Sequence, residues 1–317
     1  MNLKIQNYKL PNPVQLGYVL IIISSILYAF THVIAKPMLG DPSTTNEILN
    51  QGINPIVLAA CIYILNGLFF TPIARRKNNP PIKSLGSRNL ILLSMIGIAE
   101  VSALMVYFFG LKETTAINAS IFSNAEIIFS MLIVMIIFQE KIRKNELVPF
   151  FMIVIGIIIL PVTFELYKND LNMSSFLLGD ILIILAGLFY AVDVNISKYV
   201  SNKIDAKRIT QITSFASGIF ALSIIIILDI PFNINLDHIL PISFLAFVGT
   251  GIATLFFVIA LKLLGGVKTI LLYSTTSIFG IIFSSIILSE EITIIDIVSV
   301  IIVISGIYLM RNKLGSE

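Results

Sequence analysis

The chain is 317 residues long, 57% hydrophobic and 12% charged, with a mean hydropathy of +0.97 and a formal net charge of +3. Soluble domains average about 45–50% apolar and about 25% charged residues, so the composition excludes an ordinary soluble globule. The small positive balance does not indicate a nucleic-acid binder, because the basic residues fall in loops rather than on one face, and the single cysteine, Cys61, excludes a disulfide within the chain.

The opening MNLKIQNYKLPNP reads as a polar tail and not as a cleavable signal. From Leu16 onward the charged residues vanish for about twenty positions at a time, which is what a helix rising about 1.5 Å per residue needs to cross a hydrocarbon core about 30 Å thick. Runs this long and this uniformly apolar suit helices and not barrel strands. In chain order the predicted helices are Leu16–Ala35, Pro55–Ala74, Asn89–Phe109, Thr115–Phe138, Leu147–Phe164, Leu177–Ser197, Ile209–Asp229, Ile239–Leu261, Val267–Leu288 and Ile292–Met310. The expected fold class is an all-α integral membrane protein with ten transmembrane helices. Cys61 lies inside the second run, where a small buried hydrophobe is expected.

Basic residues favour cytoplasmic loops. With the N-terminus inside, only Lys36, Lys112 and Lys168 fall outside, and the other 18 of the 21 Lys and Arg residues fall inside. Both termini are therefore expected in the cytoplasm.

The chain also repeats itself. Laying the stretch from Gly17 on the stretch from Gly179 pairs Tyr28 with Tyr190, Ala29 with Ala191 and Lys36 with Lys198. Residues 110–160 fall on 260–310 without a gap, pairing Lys112 with Lys262, Phe129 with Phe279, Glu140 with Glu290 and Gly156 with Gly306. Each half holds five predicted helices, an odd number, so the second half enters the membrane in the opposite sense. The expected organisation is a cytoplasmic tail (1–15), a first five-helix repeat (16–164), an extracellular connector (165–176), a second repeat (177–310) and a cytoplasmic tail (311–317). Inverted-topology repeats are a recurring design of secondary transporters, because two similar halves give two nearly equivalent packings open to opposite sides. A duplicated scaffold that does not transport is the plainer alternative.

FQEKIRKNELVPFFMIVIGIIIL and LSEEITIIDIVSVIIVISGIYLM each place a glutamate, Glu140 or Glu290, before a short polar step and a glycine-bearing apolar helix. This pattern resembles the EamA family of the drug/metabolite transporter superfamily, over about Gln15 to Arg311. LFYAVDVNISKYVSNKID, ALKLLGGVKTILLYSTTSIFGIIFSSIILSEEIT and INASIFSNAEIIFS are similar to a prokaryotic branch, in which Glu126 matches a recurrent acidic position. Two departures stand out. Glu126 and Thr276 sit where many members carry proline, and Tyr28 and Tyr190 replace a frequent tryptophan. The resemblance implies a ten-helix transporter of small organic molecules.

Ionisable groups at bilayer depth are costly, about 2.5–3.5 kcal/mol each on insertion scales. Glu100 lies twelve residues from Arg88 and Glu126 twelve from Phe138, so both sit about 18 Å from the cytoplasmic face. Facing each other, they would share one proton, which makes Glu126 and Glu100 the candidate proton-coupling pair; local hydrogen bonding of neutral acids is the alternative. Asp193, about 7.5 Å from the cytoplasmic end, is expected either to pair with Lys198 or to gate the inner mouth. His32, near the outer end of its helix, is a candidate gate or a wetted interfacial histidine. Tyr28 and Tyr190 hold equivalent positions, with an apolar body and a polar tip suited to an amphipathic substrate. Asn124, Tyr273 and Thr276 belong to polar stretches of the fourth and ninth helices, with Asn118, Ser123 and Ser274. Together Tyr28, Asn124, Glu126, Tyr190, Tyr273 and Thr276 form the candidate substrate site. Close helix packing through small hydroxyls is the competing explanation for the polar stretches. Glu140 and Glu290, at helix ends, are expected to fix turns by accepting backbone or Lys hydrogen bonds.

No GxxxxGK loop and no clustered Cys/His set occurs, so neither ATP hydrolysis nor a metal or other cofactor is expected. The expected activity is secondary transport, by export or facilitated exchange, of an amino acid or other small amphipathic solute across the cell membrane by a monomer or homodimer, with the proton as candidate coupling ion. No buried arginine is expected in the cavity, which disfavours phosphorylated substrates. The competing classes are a passive channel and an intramembrane enzyme such as a lipid transferase.

Overall fold

The computed structural model describes residues 12–40, 52–74, 85–137, 148–156, 159 and 173–314. The elements, in order, are α1 (Pro13–Met38), α2 (Pro55–Ala74), α3 (Ser87–Glu113), α4 (Ala116–Phe122), α5 (Ala125–Ile137), α6 (148–156), α7 (Met173–Ser201), α8 (Ala206–Ile227), α9 (Leu236–Phe244), a π-helical segment (Leu245–Ile252), α10 (Ala253–Leu264), α11 (Gly266–Tyr273), α12 (Thr276–Ile287) and α13 (Ile294–Leu314). Eight helical stretches among them are long and apolar enough to cross a membrane, and the apolar part of α13, Ile294–Leu309, is shorter. Residues 147, 157–158 and 160–164 of the expected fifth helix lie outside the described residues, as do Glu140, Lys168 and Arg75 to Lys77.

Local chemistry starts these helices. The Asn12 side chain accepts from Val14 N ahead of Pro13, Thr115 Oγ1 accepts from Asn118 N, and Asp205 accepts from Lys207 N. Each fills one of the donors that a helix N-terminus leaves open. Thr293 and Asp296 cap α13 reciprocally.

Three expected helices differ from their prediction in more than their ends. The fourth and ninth, read as continuous, each break: α4 gives way to α5 at Ser123–Asn124, and α11 to α12 at Ser274–Thr275. The two breaks fall on equivalent positions of the repeat. Their cause is the polar stretch itself. Ser123 Oγ donates to Ser120 O (2.7 Å) and Asn124 Nδ2 to Ile121 O (2.9 Å). Ser274, Thr275, Thr276 and Ser277 donate to Leu271, Leu272, Tyr273 and Ser274 carbonyls at 2.5–2.8 Å. Side-chain donors that compete for backbone carbonyls bend a helix. The expected eighth helix is longer than predicted and carries the π-helical segment in its middle, where Gly249 lies against Thr31 and Gly251 against Asn66.

The repeated stretches run in opposite senses. The end of α1 and the start of α7 meet one face: Lys36 Nζ donates to Thr114 O, and Thr114 Oγ1 donates to Asp180 Oδ1 at 2.6 Å. The start of α1 and the end of α7 meet the other: Gly17 abuts Leu263 and Leu264, and the Lys198 side chain lies against Gly266. These two ends are called here the Lys36 face and the Lys198 face. Between them α3 packs on α7, α2 on α8 and α1 on α10. Small residues and short hydrogen bonds carry the crossings: Gly110 on the Gly179 carbonyl, Asn66 Nδ2 to Ser214 Oγ (2.9 Å), Ser217 Oγ to Gly97 O (2.8 Å) and Ser24 Oγ to Ala253 O (2.9 Å). This is how membrane helices associate when burial of apolar surface supplies no driving force. The outer surface is isoleucine- and leucine-rich, with Ile226, Leu240, Ile286 and Ile294 exposed, while polar side chains such as Ser24, Thr210 and Ser284 are buried.

Candidate functional site

Seven elements converge between the two faces. A first chamber, spanning about 480 Å³ between atoms with its opening to solvent included, is lined by Tyr28 of α1, Glu100 of α3, Glu126 of α5, Tyr190 and Asp193 of α7, Thr213 of α8, Thr254 of α10 and Tyr273 of α11. A second, of about 390 Å³, is lined by His32, Ser123, Asn124, Ser274 and Thr276 as well as Glu126, Tyr190 and Tyr273. Glu126, Tyr190 and Tyr273 therefore form a wall shared by both chambers. The first extends towards the Lys198 face, past Ser197 and Ile209. The helix breaks put Glu126 and Tyr273 on this wall, since each break ends a helix at cavity depth.

The sequence-predicted residues divide between the chambers. Tyr28, Glu100 and Asp193 stand in the first, His32, Asn124 and Thr276 in the second, and Glu126, Tyr190 and Tyr273 in both. Glu100 (4% exposed) and Glu126 (6% exposed) are both buried. Glu100 belongs to a hydrogen-bond chain. Thr254 Oγ1 donates to Glu100 Oε1 at 3.5 Å, so the Tyr28 hydroxyl, 2.5 Å from Thr254 Oγ1, is the donor there. The Tyr63 side chain also stands beside the Glu100 carboxyl. Tyr28 meets the Tyr273 ring edge-on at 5.5 Å, and Tyr273 meets Phe257 at 5.1 Å.

Two expectations are corrected. Asp193 accepts from Ser197 Oγ at 2.8 Å and lines the chamber, whereas Lys198 one turn on packs against α11. The five-residue spacing turns the two side chains to different faces of α7. His32 is not a wetted interfacial residue: it is 7% exposed and stacked on Tyr107 at 4.1 Å, because α1 continues to Met38 and keeps it below the helix end. A buried arginine does exist, Arg208, bonded to Gln211 at 2.7 Å, but it lines neither chamber. Thr254, Tyr63 and Thr213 were not singled out by sequence reasoning. Isolated hydroxyls in apolar runs carry no pattern, and only the helix crossings bring Thr254 to Glu100.

The two faces are packed differently. At the Lys36 face the Glu290 carboxylate accepts from Ala116 N and Ile117 N, both at 2.9 Å, and lies 3.8 Å from Lys36 Nζ. Glu290 thus caps α4, a helix of the other half, and not its own turn. There α4 packs on α12, with Gly280 against Ser120. The equivalent elements at the Lys198 face, α11 and α5, make no comparable contact among the described residues. Among the described residues, contacts between these equivalent elements are concentrated at the Lys36 face.

Comparison with known proteins agrees with this architecture. The profile of the EamA-like transporter family matches residues 15–161 and again 177–312. An uncharacterized transporter of Methanothermobacter thermautotrophicus is 27% identical over 306 residues, covering 93% of this chain and 85% of that protein. An uncharacterized transporter of Clostridium kluyveri is 21% identical over 307 residues, covering 95% of each. One crystal structure superposes with a TM-score of 0.61 over 96% of this chain and 99% of the other at 13% identity, a likeness of fold.

Proposed function

Because the chain belongs to the EamA-like transporter family, we propose that it is a secondary transporter that moves a small organic metabolite across the cell membrane by alternating access, with both termini cytoplasmic. One observation carries the reading: two chambers between oppositely running repeats meet at a common wall of Glu126, Tyr190 and Tyr273. In an alternating-access cycle that wall stays fixed while the two faces open in turn. The Lys36 face is the one where α4 and α12 are joined, and the basic-residue distribution assigns it to the outside. Tyr28, Tyr190 and Tyr273 would flank the substrate, with Asn124 and Thr276 beyond them. Asp193 would stand at the entrance of one chamber and His32 in the other. Glu126, on the wall, is the residue through which a proton would couple, with Glu100 as its partner acid. The working unit is a monomer or homodimer, and the direction is export or exchange.

The test is transport by purified protein in proteoliposomes under an imposed proton gradient, screened with a metabolite panel. Accumulation of a solute against its own gradient is expected. Flux that only equilibrates the solute would identify a passive channel, and turnover of a solute without movement an intramembrane enzyme.

A further inference from the structure

Resting on the transporter reading above, we propose that the two chambers together form a site for a protonated primary or secondary amine. Its ammonium group would lie among Glu100, Asp193 and Glu126, its apolar body between Tyr28, Tyr190 and Tyr273, and a polar far end at His32.

The hydrogen-bond inventory of the walls points to a donor-rich cation. Three carboxyls line the first chamber, and among the described residues no Lys or Arg lines either chamber. The buried Arg208 is engaged on Gln211, and the partly exposed Lys36 on Leu111 O, Thr114 O and Glu290. The small hydroxyls have already spent their donors. Ser123, Ser274 and Thr276 each donate to a carbonyl of their own helix, Ser197 donates to Asp193, and Asn124 uses one of its two N–H donors on Ile121 O. What these groups still present is chiefly acceptor capacity: hydroxyl lone pairs and the Asn124 carbonyl. An anion would meet acceptors and carboxyls with no fixed cation to hold it. An ammonium group supplies both the missing positive charge and the missing N–H donors. The tyrosine rings add favourable faces for a desolvated cation.

A second observation concerns the other chamber. His32 is nine-tenths buried, lines that chamber, and its Nε2 has no hydrogen-bond partner among the described residues. Buried polar atoms are almost always paired, so an unpaired one beside a cavity fits a ligand group that pairs with it. The carboxyls and His32 lie in adjoining chambers with Tyr190 and Tyr273 on the wall between them, which suits an amine whose two polar ends are separated by an aromatic or alkyl body.

The experiment is isothermal titration of the purified full-length protein with tyramine, its N,N,N-trimethyl derivative and 3-(4-hydroxyphenyl)propionate. Tyramine is expected to bind. The trimethyl compound, which has no N–H donors, is expected to bind at least about tenfold more weakly, and the propionate weaker still. Asp193→Asn and Glu100→Gln should each weaken tyramine by about tenfold or more, and His32→Phe should abolish its advantage over 2-phenylethylamine. Propionate or trimethyl binding as tight as that of tyramine overturns the proposal on the parent protein alone, whatever the variants do. Unchanged tyramine affinity in both carboxyl variants overturns it too. Counterflow of labelled tyramine in proteoliposomes separates this inference from the transporter reading. Binding without counterflow supports the amine site and removes transport, whereas counterflow of the propionate without tyramine binding removes the amine site and retains transport.

Discussion

Glu126 stands on the wall between the chambers, 6% exposed and with Tyr190 and Tyr273 beside it. A lone carboxylate at this depth is costly, so the group is protonated or neutralised by what binds there. Glu126→Gln keeps the shape and the hydrogen bonding but cannot exchange a proton. With a proton gradient imposed on proteoliposomes, this variant should lose gradient-driven accumulation and keep downhill flux. Glu100→Gln should have the smaller effect, since Glu126, which lines both chambers, can still titrate. Full accumulation by Glu126→Gln would reduce the residue to packing. Away from the chambers the same scale decides stability. Ser24 Oγ joins α1 to the Ala253 carbonyl of α10, and Ser24→Ala should cost about 0.6–2 kcal/mol in reversible unfolding from detergent micelles. No loss at all would mean that the carbonyl finds another donor.

At the scale of elements, the Lys36 face depends on α4, α12 and the Glu290 turn. A Cβ at Gly280 would lie 2.1 Å from Ser120 Oγ and 2.7 Å from Ser120 Cβ. Gly280→Leu should therefore wedge α12 off α4 and lower the melting temperature, and adding Ser120→Gly should restore part of the loss. A double variant no better than the single would place the strain elsewhere. Glu290→Gln removes the ion pair with Lys36 while leaving an acceptor for the α4 backbone. It should shift the population towards molecules open at the Lys36 face. A cysteine at Asn118→Cys, on a Cys61→Ser background, should then react faster with an impermeant maleimide applied to that side. Equal rates in both backgrounds would show that the contact does not bias the equilibrium.

For the whole molecule, the orientation is the testable property. With the Lys36 face outside, Asn50→Cys and Asn235→Cys in Cys61→Ser cells should label from the medium, and Asn79→Cys should not. Labelling at Asn79→Cys would invert the assignment. In the proposed cycle, the packing with α4 and α12 joined at the Lys36 face is one of two that the repeat allows. Exchange between them moves whole helices, because packed interfaces switch between discrete arrangements more readily than they deform.

The linear sequence determined that this chain enters a membrane, where most of its spans lie and that it carries two related halves. Those properties follow from apolar run length, basic-residue placement and the recurrence of Tyr28, Lys36 and Lys112 as Tyr190, Lys198 and Lys262, all of which are local or periodic. It also marked Glu100, Glu126, Asp193, Tyr28, Tyr190 and Tyr273, since ionisable or amphipathic groups at bilayer depth stand out against an apolar background. Only the tertiary structure decided how these groups are shared between two chambers, that Thr254 links Tyr28 to Glu100, that His32 is buried on Tyr107, and that Glu290 caps the other half's helix. The polar runs around Asn124 and Thr276 looked like cavity lining and also proved to be the cause of two helix breaks. The physical reason is common to all of these. A hydroxyl or carboxyl in an apolar run must find a partner, and whether that partner is its own backbone, a neighbouring helix or a ligand depends on rotation and crossing angles that no spacing along one helix specifies.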